Sequence, residues 1–204
     1  MAPPGSAFGK STVLRCSRCG KFVDWADARL QVVCECRSRI ELPPVLVREG
    51  TDGDRAAVME LFRRDFGRTT IVAFGAVVAL DDAPALVAEM KGEMAGALAY
   101  RLRGDALHIV ALATDATWQR SGVGGHLVAE AELLARRLSL ARVVSCTTND
   151  NLPSLYFYQR RGYVISDVVV GSLTPWHQPP GDTGFAGIPV RDEVRLEKPL
   201  TPVA

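Results

Sequence analysis

Val123, Leu127, Ala131, Leu134 and Leu138 recur at three- and four-residue intervals, with Glu130, Glu132, Arg136 and Arg137 among them. That period predicts an amphipathic helix over 122–138, apolar on one face. A second helix is predicted from a cap at Thr51 or Asp52 to Phe66, with Ala57, Met59, Leu61 and Phe62 as apolar positions. A third, over 152–161, is closed by Gly162. Shorter apolar runs read as strands at 45–48, 85–90, 93–101, 106–114, 142–147, 163–171 and 192–198. Lys91-Gly92 supplies the turn between the second and third of these. The segment 69–83 is apolar but has no clean period, and 174–190 is a long Pro/Gly-rich connection. There are no internal repeats. Strands mixed with amphipathic helices predict an α/β domain over 45–200.

The chain ahead of that domain has a different grain. Residues 1–10 form a Pro/Gly/Ser-containing tail, 11–44 a cysteine module, and Pro43-Pro44 marks the boundary. Short strands are predicted at 12–15, 21–25, 29–33 and 38–42. Cys16 and Cys19 are spaced C-x2-C, and after fourteen intervening residues come Cys34 and Cys36, spaced C-x-C. Four thiolates suit tetrahedral Zn²⁺, and so small a module needs such a staple to fold. The expectation is a zinc ribbon whose ion is structural. No histidine precedes His108, which disfavours an open, catalytic zinc site. Cys146 stands alone in a strand and is expected to be a buried apolar residue.

Composition narrows the classes. Of 204 residues, 48% are hydrophobic and 23% charged, which excludes disorder of the whole chain. The formal net charge is +1, which argues against a nucleic-acid or membrane-surface protein. Residues 1–44 carry seven basic and four acidic side chains, and four zinc-bound thiolates would cancel most of that excess. The longest apolar run, 71–80, is too short to span a bilayer. No secretion signal is legible, so a soluble cytoplasmic protein is expected.

The chemistry concentrates in Gln119-Arg120-Ser121-Gly122-Val123-Gly124-Gly125, between a strand and the amphipathic helix. The glycines leave backbone N–H groups uncovered at a helix N-terminus, a site suited to pyrophosphate. No Lys-Ser/Thr follows, so it is not a nucleotide-hydrolysing loop. After the next strand comes Asn151, then Tyr158 seven residues on, then Gly162-Tyr163. Gln119, Gly122 and Gly124, followed by Asn151, Tyr158, Gly162 and Tyr163, resemble the two signatures of the GNAT superfamily of acetyl-CoA-dependent N-acetyltransferases. The resemblance covers roughly 45–200 and leaves out the cysteine module.

It implies a three-layer α/β/α sandwich around a mixed sheet whose two central parallel strands splay to admit acetyl-CoA. It further implies that Leu112, Ala113 and Thr114 run beside the pantetheine arm, that 119–125 hold the pyrophosphate, and that Asn151 contacts the cosubstrate. Tyr158 would direct its hydroxyl at the thioester sulfur, where a phenol can protonate the leaving thiolate. A free N–H near Thr114 would stabilise the thioester oxygen. Many relatives place a Glu base on the strand that here reads 107–112, and His108 is the titratable group inside it. Trp176 and His177, or Asp192 and Glu193, are candidates to line the acceptor pocket. The acceptor is expected to be an amine, on a small molecule or a protein. The competing reading is an acyl-CoA-binding adaptor whose ribbon docks on a protein or nucleic acid.

Overall fold

Seven strands build the main sheet of the computed structural model, which describes residues 13–15, 22–24, 32–33, 37, 39–40, 44–176 and 183–200. Ahead of that sheet, β1 (Val13–Arg15) pairs antiparallel with β2 (Phe22–Asp24), and β3 (Val32–Val33) with β4 (Arg39–Ile40). The four strands fall within the four short strands predicted for the module. Cys16, Cys19, Cys34 and Cys36 lie outside the described residues.

The larger domain runs β5 (Leu46–Glu49), α1 (Arg55–Phe66), β6 (Thr70–Ala73), β7 (Ala76–Ala79), β8 (Ala85–Met90), β9 (Glu93–Arg103) and β10 (Ala106–Thr114). Then follow α2 (Val123–Arg137), β11 (Arg142–Thr148), α3 (Leu152–Gln159), β12 (Val164–Val169) and β13 (Glu193–Pro199). The sheet order is β12-β13-β11-β10-β9-β8-β5, with β10 and β11 parallel and the other neighbours antiparallel. This is the mixed sheet expected from the sequence.

Alternation along β9 divides the core. Leu98 and Tyr100 join Val123, Leu127, Ala131 and Leu134 of α2 on one face. Ala97 and Ala99 join Val58, Leu61 and Phe62 of α1 on the other. Gly96 faces α2 so closely that a Cβ would lie 2.7 Å from Val123 Cγ1 and 2.9 Å from the Ala113 oxygen. Its missing side chain lets the start of α2 settle on the sheet.

Some expectations shift. The unclassified 69–83 is a hairpin of β6 and β7, turned through Phe74 and Gly75 at φ +55° and +72°. Two consecutive left-handed residues make the tight turn that matches strand twist. Leu138 is 46% exposed, because it caps α2 instead of continuing its buried face. Glu132, one of the polar positions of the α2 pattern, is buried, and its Oε2 accepts from Lys198 Nζ of β13 at 2.7 Å. Helix α1 starts at Arg55 because Asp52–Asp54 form a tighter turn, where the Asp54 carboxylate accepts the Thr51 N–H and both ends of the Arg48 guanidinium. Among the described residues no helix is long and apolar enough to cross a membrane.

Candidate active site

β10 and β11 begin as neighbours and then part. They pair from Ala106↔Arg142 to Ile109↔Ser145, although β10 continues to Thr114 and β11 to Thr148. On the other side β10 stays paired with β9 as far as Thr114↔Gly96, through a register shift between Ile109 and Ala111. That bulge adds twist to β10 at the point of divergence. The Asp115 N–H donates to the Ala95 oxygen of β9 at 2.9 Å. Alternation along an extended strand then turns the N–H groups of Leu112 and Thr114 toward the gap.

The gap is a cavity of about 650 Å³. Its walls include Ile109 to Leu112 from β10 and Ser145 to Thr148 from β11. It reaches both faces of the sheet, touching Gly124, Phe157 and Tyr158 on one side and Phe66, Ile71 and Ala73 on the other.

The glycine loop closes one end. Gly122, at φ +93°, turns the chain into α2, and the Ser121 hydroxyl donates to the Trp118 oxygen. Gln119, Arg120 and Gly124 line the cavity. A Cβ on Gly124 would sit 3.5 Å from the Phe157 ring and 3.7 Å from Thr114 Oγ1. The first N–H groups of α2 have no partner within the helix, which gives this end its affinity for anions. Val123 is instead a core residue, and Gly125 faces the Arg161 guanidinium. Arg161 in turn lies 3.7 Å from the Phe157 ring centre.

Asn151 caps α3, its Oδ1 accepting from the Ser154 N–H at 3.1 Å, while the residue lines the cavity. In the last turn of α3, Tyr158 is 4% exposed, held edge-on by Phe157 and Tyr163 with ring centres 5.1 and 5.2 Å away. Burial pushes its phenol up to about 12, against a hydrogen bond from Ser145 that works the other way. The hydroxyl therefore keeps its proton at neutral pH while lining the cavity.

Across the cavity, Glu193 opens β13 with its residue 2% exposed. It accepts from Arg195 Nε at 2.7 Å and from the Gly75 N–H at the hairpin tip at 3.3 Å. Burial and the charge of Glu193 push the Cys146 thiol beside it up to about 12, so this thiol is a protonated cavity-wall residue. Its place in the wall qualifies the expectation of a purely buried apolar cysteine.

The residues singled out from the sequence thus separate. Leu112, Thr114, Gln119, Arg120, Gly124, Asn151, Tyr158, Trp176 and Glu193 gather around the cavity. The Ala113, Ser121, Gly122, Val123 and Gly125 side positions lie outside its lining, where they pack or shape the loop. His108 also lies outside it, packed against Phe74 with ring centres 4.5 Å apart and the rings tilted by 60°. Burial lowers its pKa first, and Arg103, Arg142 and Arg195 lower it further. Asp192 is engaged in structure: it accepts from the Gly171 N–H at 2.8 Å and from Arg191 Nε at 2.9 Å. His177 lies outside the described residues. Ser145, Asp65 and Arg68 line the cavity without having been singled out from the sequence. Among the described residues no cluster of three or more His, Cys, Asp or Glu is arranged to hold a metal ion.

Known proteins share this fold. The YxbD protein of Bacillus subtilis, itself uncharacterised, is 31% identical over 111 residues, covering 53% of this chain and 69% of that one. A Bacillus subtilis acetyltransferase solved in complex with CoA superposes with a TM-score of 0.59 at 22% identity, covering 78% of this chain and 99% of its own. A GNAT family acetyltransferase from Elizabethkingia anophelis with acetyl-CoA bound gives 0.60 at 20% identity, with coverages of 76% and 98%. The model of the Acetyltransferase (GNAT) family matches residues 52–163, a stretch that holds the splayed strands, the glycine loop and Tyr158. The chain belongs to the GNAT acetyltransferase family.

Proposed function

We propose that the protein moves an acetyl group from acetyl-CoA to a primary amine by direct attack inside the gap between β10 and β11. One observation carries the reading: a strand edge released from pairing, a glycine-rich helix start and a buried, protonated phenol converge on a single cavity. The unpaired N–H and C=O groups of β10 beyond Val110 suit the amides of a pantetheine arm. Gln119, Arg120 and the start of α2 suit its pyrophosphate. Asn151 holds the turn from which α3 delivers Tyr158.

The Thr114 N–H is aimed to support charge growing on the thioester oxygen, where a fixed donor in a dry site is most effective. Tyr158 supplies a proton to sulfur as the carbon–sulfur bond breaks, and Ser145 steadies the phenolate left behind. Acetyl-CoA incubated with a panel of primary amines and assayed for CoA thiol tests the reading. Thiol release that requires both the amine and the protein is the expected result. Tight acetyl-CoA binding without turnover on any amine would favour the acyl-CoA-binding adaptor.

For the front module the reading is one structural Zn²⁺ on Cys16, Cys19, Cys34 and Cys36. Its support is the spacing of the cysteines, each pair falling in sequence between two antiparallel strands. Metal analysis should return one zinc per chain, and its removal should unfold the module while leaving the larger domain.

A further inference from the structure

Two carboxylates line the cavity, Asp65 of α1 and Glu193 of β13. Asp65 is exposed, whereas Glu193 is shut away from solvent. A buried carboxylate is tolerated only when charge and hydrogen bonds compensate it. Here Arg195 Nε holds Oε1, the Gly75 N–H reaches Oε2, and the Cys146 thiol is within hydrogen-bonding reach. The compensation is incomplete in charge. Arg195 also reaches Asp167, Nη1 to Oδ2 at 3.4 Å, so one guanidinium faces two carboxylates. The Glu193 carboxylate therefore stands at the cavity wall with a shared guanidinium as its cation. Beyond it the wall includes the apolar Phe66, Ile71, Leu173 and Trp176, with the exposed Asp65 and Arg68 beside Phe66.

The position of Glu193 is built, not incidental. Asn149, at the end of β11, accepts the N–H groups of Arg191 and Asp192 at 2.9 Å each and donates to the Pro189 oxygen at 2.9 Å. These three bonds fix the chain just before β13, so the first residue of that strand enters the gap. Thr148 of β11 then stands opposite Glu193.

We propose that Glu193 is the acceptor-side base, and that the acceptor is a cationic primary amine on an apolar stem. This rests on the acetyltransferase reading above. Glu193 pairs with the ammonium group and takes one proton from it, which passes to solvent. The freed nitrogen lone pair forms the N–C bond to the acetyl carbon, and the C–S bond breaks with its electrons on sulfur. Sulfur takes the Tyr158 proton, and the second proton of the nitrogen is relayed to the phenolate. The products are the amide, the CoA thiol and one proton in solution. The aromatic and aliphatic wall takes the stem, and the charge of Glu193 selects ammonium over a neutral group of the same shape.

The test uses the full chain, first loaded with CoA, and compares 2-phenylethylamine with 2-phenylethanol. The wild type should bind the amine at least tenfold tighter than the alcohol by calorimetry. Glu193→Gln should abolish that preference while holding acetyl-CoA with unchanged affinity, and Glu193→Asp should restore part of it. Acetylation of the amine should fall by about 10²–10³ in Glu193→Gln, the scale of a positioned base. A wild type without the preference, or a Gln variant that keeps it, overturns the proposal and leaves the acetyltransferase reading standing. A wild type that binds no acetyl-CoA overturns both.

Discussion

Over 106–109 the strand β10 gives its backbone to β11, and over 110–114 it does not, although both stretches are extended and apolar. In the paired half, Leu107 and Ile109 are buried among α2 residues and the hydrogen-bonding groups are satisfied within the protein. In the open half, the N–H groups of Leu112 and Thr114 face a cavity instead of a strand. Unpaired backbone groups in a sheet interior are costly unless something outside the chain completes them. One strand thus serves stability at its start and recognition at its end, and the bulge at Val110 separates the two.

That division can be attacked from either side. The largest effect should come from the open half: Tyr158→Phe keeps the ring packed and removes only the hydroxyl, so kcat should fall by about 10²–10⁴. Thermal unfolding of this variant should stay close to wild type, and a matching loss of stability would dissolve the distinction. In the paired half the pattern should reverse. Leu107 is fully buried, and Leu107→Ala should cost about 2–5 kcal/mol in urea unfolding, with kcat little changed in the molecules that remain folded.

Gly124→Val tests the seam between the halves. Its branches would press on Phe157 and Thr114 where a pyrophosphate is expected, weakening acetyl-CoA by about tenfold or more with the fold kept. Unchanged affinity by calorimetry would move the phosphate site elsewhere. The smallest effect belongs to His108, whose pKa is lowered in the folded protein. The unfolded chain takes up that proton at about pH 6.5 while the folded one resists, so this residue costs stability as pH falls from about 7 to 5. His108→Ala should flatten that part of the urea-midpoint profile, and an unaltered slope would show the ring to be better solvated than its packing against Phe74 implies.

What the sequence made legible was local. Gln119 to Gly125 and Asn151 to Tyr163 are contiguous, and their turn and helix chemistry can be read residue by residue. Strands 85–90 and 106–114 were legible to the residue as short apolar runs, the first of them ended by the Lys91-Gly92 turn. The register between β10 and β11 is set by elements far apart in the chain, so the point of splay had no sequence mark. Gly96 reads as a weak strand residue until α2 is seen against it. His108 had the right chemistry on the expected strand, yet lies outside the cavity lining against Phe74. Phe74 belongs to a hairpin that periodicity did not reveal. Glu193 was one candidate among several because its aim depends on Asn149, 44 positions earlier.

The gap between the strands opens on both faces of the sheet, and this carries a kinetic consequence. A cosubstrate seated on the α2 and α3 side need not block the approach from α1 and the β6–β7 hairpin. Both substrates can occupy the protein together, so initial-rate plots should intersect instead of running parallel. CoA should compete with acetyl-CoA yet be noncompetitive against the amine, and no acetylated protein should be trapped by rapid quench. The Gly75 N–H on Glu193 adds an asymmetry: the hairpin tip must yield before an ammonium can take its place, so the amine should be the slower of the two to bind.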